Sequence, residues 1–153
     1  MNPSKVFDVL KELNIDYIEH NHPPIFTIEE SKDHWASVNG MHCKNLFLRD
    51  NKGKRHYLLC AEAHKPIDLK ALSAEIGQRL GFASSKRLLQ YLGLEPGSVS
   101  PLGLINDESS VVQVMLDRDI QSADLVNFHP NVNTATLGIH PSDLEKYIQH
   151  CGN

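Results

Sequence analysis

A chain of 153 residues with 41% hydrophobic and 22% charged residues is long enough to enclose a hydrophobic core, and it has no apolar run long enough to span a bilayer. Its formal net charge of −4 excludes a protein held to polyanions by a general positive field. Cys43, Cys60 and Cys151 are odd in number and lack a Cys-x-x-Cys spacing, which argues against a disulfide framework and a cysteine-based zinc site.

From the N-terminus, Val6, Phe7, Leu10 and Leu13 recur near helical spacing and predict an amphipathic helix over residues 4–13. The same segment interrupts its apolar residues with charge, so it does not read as a secretion signal, and the cytoplasm is the expected compartment. Asp16 to His20 follows as a short strand. Asn21-His22-Pro23-Pro24 is irregular because consecutive prolines remove donors, and Thr27 with Glu30 is spaced as the capping box of a second helix.

Lys44 to Arg49 and His56 to Glu62 read as a hairpin around the turn Asp50-Asn51-Lys52-Gly53-Lys54. Helices are predicted over 68–77 and 84–92, the latter stopped by Gly93. Residues 95–110, with Pro96, Gly97, Pro101 and Gly103, form an ordered loop. Strands follow at 111–116, 125–128 and 134–139, and Ser142 with Glu145 caps a last helix. No regular βαβ alternation, repeat or low-complexity linker divides the chain, so residues 1–153 are expected to form one α+β domain on a mixed sheet.

The chemistry-bearing residues stay ambiguous by spacing. Lys44 opens an apolar strand, either as a solvated guard of a sheet edge or as a cation at a pocket. Cys43 is a buried small hydrophobe or, with His22 or His129 close by, a nucleophile; as its neighbour on a strand it faces away from whatever Lys44 faces. His20, His22, His42 and His64 match no recognised metal-ligand pattern. Gly97 to Gly103 can turn the chain or offer N–H groups to an anion or a terminal adenosine. Asn133 and Thr134 can bond their own backbone or position a substrate. Two basic groups, Lys52-Lys54-Arg55 and Lys86-Arg87, are either solvated or local patches for a polyanion.

Four ordered segments change those alternatives: His22 to Glu30, Gly40 to Asp50, Leu92 to Asp107, and Val126 to Thr136. Together they resemble YbaK-like editing domains, related to the insertion domain of bacterial prolyl-tRNA synthetase, over nearly the whole chain. Lys44-Asn45, Asn127-Phe128-His129-Pro130 and Asn133-x-Ala135-Thr136 are most similar to the branch that deacylates alanyl-tRNA for proline. Leu102 stands where phenylalanine is common in the family, and Asn131 where leucine is usual.

The resemblance implies a mixed, mostly antiparallel, barrel-like sheet with surrounding helices. It implies hydrolysis of the ester joining an amino acid to the terminal ribose of proline tRNA, with no metal or other cofactor. Lys44 and His129 would be the catalytic residues, Lys44 as an anchor for the ester or terminal phosphate. Phe26, Thr27, Asn45, Ser100, Pro101, Leu102, Gly103, Asn133, Ala135 and Thr136 would bind the substrate. The partners implied are the acceptor end of aminoacylated proline tRNA and, in association, prolyl-tRNA synthetase, not DNA or a membrane. Removal of cysteine or another small amino acid, a non-catalytic tRNA- or synthetase-binding module, and a thiol enzyme using Cys43 are the competing readings.

Overall fold

The computed structural model describes residues 3–23 and 40–153. The helix expected at Thr27 and Glu30, and the substrate-binding expectations on Phe26 and Thr27, lie outside the described residues.

Helix α1 (Ser4–Glu12) buries Val6, Val9 and Leu10 along one stripe and leads into strand β1 (Ile18–Asn21). β2 (Met41–Asp50) and β3 (His56–Glu62) form the expected hairpin, with Leu46 opposite Leu59 and Leu48 opposite Tyr57. Gly40 starts β2 at φ +102°, where a Cβ would stand 2.9 Å from the Leu125 carbonyl oxygen that accepts the Met41 N–H. Only glycine fits that approach.

Helix α2 (Leu69–Ile76) is capped by the Asp68 carboxylate, which accepts from the N–H groups of Lys70 and Ala71. Strand β4 (Leu80–Phe82) follows, and then helix α3 (Ser85–Leu92), capped by Ser84 and ended by Gly93. The ordered loop contains a 3-10 helix, Pro101–Asn106. Strand β5 (Val112–Leu116), helix α4 (Arg118–Ser122), strands β6 (Val126–Phe128) and β7 (Ala135–Ile139), and helix α5 (Pro141–Cys151) complete the chain.

The described strands pair in the order β1-β7-β6-β2-β3-β5, with β4 added beside β2. The pairs β2–β6 and β3–β5 are parallel and the other four antiparallel, so the sheet is mixed and mostly antiparallel as expected. It is not closed. β1 and β5 end the path, which corrects the barrel-like expectation: β2 joins two half-sheets, and among the described residues nothing pairs the outer strands with each other.

β2 has apolar neighbours on both faces. Phe47 packs into the main core with Leu58, Cys60, Phe128 and Leu137, whereas Leu46 and Leu48 belong to a smaller cluster with Tyr57, Leu59 and Leu80. Fully burying each large aliphatic side chain contributes roughly 1.5–3 kcal/mol, so both faces hold β2 in register.

One helix cap and two short elements differ from the sequence reading. The last helix is capped by His140, whose Nδ1 accepts from the Ser142 N–H, with Pro141 at the first helical position; Ser142 lies inside the helix. Proline is pre-set for that position, which moves the cap two residues earlier. β4 and α4 carry no periodic pattern long enough to announce them.

Candidate active site

The site forms where β2 meets the β6–β7 hairpin and the end of β1. His42 pairs with Asn127 across β2–β6, and β1 sets His20 opposite Thr136. The residues between β6 and β7 fold back so that Nδ1 of His129 lies 2.8 Å from the Ala135 carbonyl oxygen. A carbonyl only accepts, so Nδ1 carries the proton.

His22, just past β1, donates its backbone N–H to the Thr134 carbonyl and holds Nε2 2.8 Å from Thr136 Oγ1. Its Nδ1 donates to the Pro23 carbonyl at 2.8 Å, and its ring meets that of His129 edge-on, with centroids 6.0 Å apart. From β2, Asn45 donates its side-chain amide to the Val99 carbonyl at 3.0 Å. This tethers the strand to the loop before the 3-10 helix. The Asn45 Oδ1 is buried and has no hydrogen-bond partner among the described residues.

These groups surround a cavity of about 30 Å³ lined by His42, Cys43, Asn45, Asn127, Phe128, His129 and Thr136. Such a volume holds roughly two waters. Burial lowers the pKa of His129 below the usual histidine value; the Ala135 hydrogen bond opposes the shift and His22 adds to it. The ring is therefore neutral at pH 7 with Nδ1 protonated, and Nε2 is left with a lone pair.

Cys43 lines the same cavity with the opposite property. Burial, together with the negative charges of Glu62 and Asp117, pushes its thiol up to about 12. A protonated thiol is a poor nucleophile, so the presence of His129 in the cavity wall does not make the pair a thiol–imidazole couple. Among the described residues, no three His, Cys, Asp or Glu side chains converge as a metal-binding group.

The expected site residues separate into three sets. Asn45, His129 and Thr136 come together in the cavity wall, and Ala135 supplies the carbonyl that orients His129. Lys44 points to the other face of β2: it pairs with Ala61 and donates its ammonium to the Lys65 carbonyl, while Cys43 takes the cavity side. The alternation was expected, but the cavity goes to the cysteine.

Ser100, Pro101, Leu102 and Gly103 are packing elements. Ser100 accepts from the Leu102 N–H through its hydroxyl and from the Gly103 N–H through its carbonyl, so neither N–H is left to bind a substrate. The Leu102 carbonyl accepts from Tyr147, and a Cβ on Gly103 would stand 2.5 Å from Leu94 Cδ1. Asn133 sits half-buried in the turn before β7, outside the cavity lining. His22, His42 and Asn127 were not among the catalytic and substrate-binding residues that the resemblance implied. His22 comes in through the β1–β7 register, and no local pattern encodes that pairing.

A histidine fixed in one tautomer, a buried acceptor on asparagine and a threonine hydroxyl around a water-sized cavity define a small hydrolytic or binding site in a mixed α+β fold. The chain matches the aminoacyl-tRNA editing domain family over residues 22–147. It is 44% identical over 145 residues to the prolyl-tRNA editing protein ProX of Acetoanaerobium sticklandii, spanning 94% of this chain and 88% of that one. It is 37% identical to the prolyl-tRNA synthetase associated domain-containing protein 1 of Danio rerio, spanning 93% and 78%. The crystal structure of a candidate trans-editing enzyme for prolyl tRNA synthetase superposes with a TM-score of 0.75 at 19% identity, covering 96% of this chain and 91% of that one; it shares the fold. The chain belongs to the aminoacyl-tRNA editing domain family and is an aminoacyl-tRNA hydrolase.

Proposed function

We propose that the chain acts in trans to hydrolyse the ester of mischarged proline tRNA, with alanyl-tRNA for proline as the principal substrate. The observation that carries this is the His129–Ala135 hydrogen bond, which fixes the imidazole so that its lone pair lies on Nε2 beside a small cavity. The relatives' names bring in proline tRNA, and the small cavity favours a small amino acid.

In this reading Nε2 of His129 accepts a hydrogen bond from the attacking water or from the free hydroxyl of the terminal ribose. The water oxygen bonds to the ester carbon and the carbon–ribose oxygen bond breaks. A proton passes to the ribose oxygen, which leaves free amino acid and uncharged tRNA. An aminoacyl ester is already activated, so positioning and oxyanion stabilisation supply the rate. Thr136 and the Asn45 Oδ1 hold the substrate's polar groups. Lys44, held at the Lys65 carbonyl on the other face of β2, acts from there as a point charge that attracts and anchors the substrate's terminal phosphate. Prolyl-tRNA synthetase, the source of the mischarged product, is the natural associate, and residues 1–153 act as one editing domain.

Purified protein incubated with alanyl-, cysteinyl- and prolyl-tRNA on the proline acceptor tests this. The alanyl ester is expected to be cleaved fastest and the prolyl ester spared. A pocket discriminates neighbouring small residues by only about 1–3 kcal/mol, so some cysteine release accompanies it. No cleavage of any mischarged species overturns the proposal.

A further inference from the structure

The chain's charge is strongly polarised despite its acidic total. Residues 44–61 and 76–94 hold eight of the fifteen Lys and Arg but one of the nineteen Asp and Glu, which gives these stretches +7 and leaves −11 elsewhere. The fold brings the two stretches together. Arg87, in the first turn of α3, donates from Nη1 to the Gly53 carbonyl at 3.0 Å and to Nε2 of His56 at 3.1 Å. Gly53 has φ +68°, and a Cβ there would stand 2.7 Å from the Arg87 guanidinium, so the turn and the helix are fitted to each other.

Lys52, Lys54, Arg55 and Lys86 are all exposed around this junction, with Arg49 half-buried beside them. The only acid in the two stretches, Asp50, is buried, and its carboxylate accepts the N–H groups of Lys54 and Arg55 at 2.8 and 3.2 Å. It stabilises the turn and does not neutralise the surface. Among the described residues, Lys65 makes the ion pairs, with Asp117 and Asp119; the junction's cations make none.

We propose that this platform docks the sugar-phosphate backbone of the substrate's acceptor stem. The proposal rests on the deacylase reading above and adds the surface that would hold the tRNA. The platform lies at the Asp50 end of β2 and the cavity at the Met41–Asn45 end, and five residues of strand separate Asn45 from Asp50 by about 17 Å. The single-stranded 3′ end of a tRNA bridges a gap of that order. Phosphate contacts fix register and orientation, so a rigid basic junction at one end of the strand sets the terminal ribose at the other.

The test is the fourfold variant Lys52→Ala, Lys54→Ala, Arg55→Ala and Lys86→Ala, compared with Lys5→Ala, Lys11→Ala and Lys70→Ala, three exposed lysines outside the two basic stretches. The junction variant is expected to raise KM for alanyl-tRNA about tenfold or more, with kcat much less affected, and to flatten the dependence of log affinity on log salt by roughly three to four. Direct binding of uncharged proline tRNA reads the platform without chemistry, so it decides the docking surface even if the parent hydrolyses nothing and the deacylase reading falls. Lys86→Ala alone, expected to flatten the slope by about one, serves if the fourfold variant melts early. Equal effects in the two sets, an unchanged salt slope, or loss of binding to phosphatidylserine vesicles with tRNA binding intact would overturn the proposal.

Discussion

The two faces of β2 hold nearly the same kinds of side chain and do different work. On one face Cys43, Asn45 and Phe47 run from the cavity into the main core; on the other, Lys44, Leu46 and Leu48 run from the Lys65 carbonyl into the smaller cluster. The cavity face is low in charge, with its histidine neutral and its thiol protonated. The opposite face keeps its ions, since Lys65 bridges Asp117 at 2.6 Å and Asp119 at 2.7 Å. The difference suggests that bond-breaking chemistry belongs to the neutral face, and that the charged face contributes long-range attraction for an anionic substrate.

The most damaging substitution should therefore fall on the cavity face. His129→Ala is expected to lower kcat for alanyl-tRNA by about 10²- to 10⁴-fold, the usual range for a lost proton-handling group, with the fold retained. Single-turnover deacylation with a circular dichroism control measures it. A loss of less than about tenfold would move the chemistry elsewhere. Lys44→Ala comes second. A charge-assisted hydrogen bond is worth about 1.5–3 kcal/mol, so kcat/KM should fall by about 10- to 100-fold, more through KM than through kcat. If Lys44→Ala matched the parent, the lysine would be a guard of its strand and nothing more.

A smaller effect comes from pH. His129 must be neutral to accept, and burial holds its folded pKa below the usual histidine value of 6.5. The acid limb of kcat/KM should therefore fall below 6.5, with activity flat from there to neutral pH. Stability follows the same sign. The unfolded chain binds this proton at higher pH than the folded one, so the histidine costs stability as pH drops below 6.5 toward the folded value and costs nothing above. An acid limb centred above 6.5 would contradict a neutral, buried ring.

The sequence shows why the two faces were hard to tell apart. Alternation places Cys43 and Lys44 on opposite sides of a strand, and the hairpin register follows from the Asp50–Lys54 turn, so both were legible. Which side holds the cavity was not, because Phe47 on one face and Leu46 and Leu48 on the other are equally apolar, and a strand buried on both faces gives no inside–outside signal. The stop at Gly93 could be read because capping is local, and the helices predicted from residues 68 and 84 have Asp68 and Ser84 as their caps. β4 could not: its three residues exist as a strand by pairing with Leu48 to Asp50, some thirty positions away. His22 reaches Thr136 across 114 residues, and composition left the loop at Ser100 to Gly103 open between turn and ligand site because glycine and proline serve tight packing and ligand approach alike.

The smallest effect belongs to Cys43, and it separates a wall from a nucleophile. The thiol lines the cavity, with its sulfur 4.0 Å from the Met41 carbonyl oxygen, close enough to the chemistry for a thiol enzyme to remain an obvious alternative. Its pKa of about 12 leaves almost no thiolate at neutral pH, because burial disfavours the charged form and the negative charges of Glu62 and Asp117 add to that cost. Cys43→Ser keeps the shape of the wall to within a small change in radius and removes the sulfur. Turnover should stay within about threefold of the parent, since a wall residue acts by fit alone. Alkylation by iodoacetamide at pH 8 should be slow at this position for the same reason. Fast modification with loss of activity, or a Cys43→Ser variant as inactive as His129→Ala, would assign the sulfur a chemical role and make the cavity face that of a thiol hydrolase.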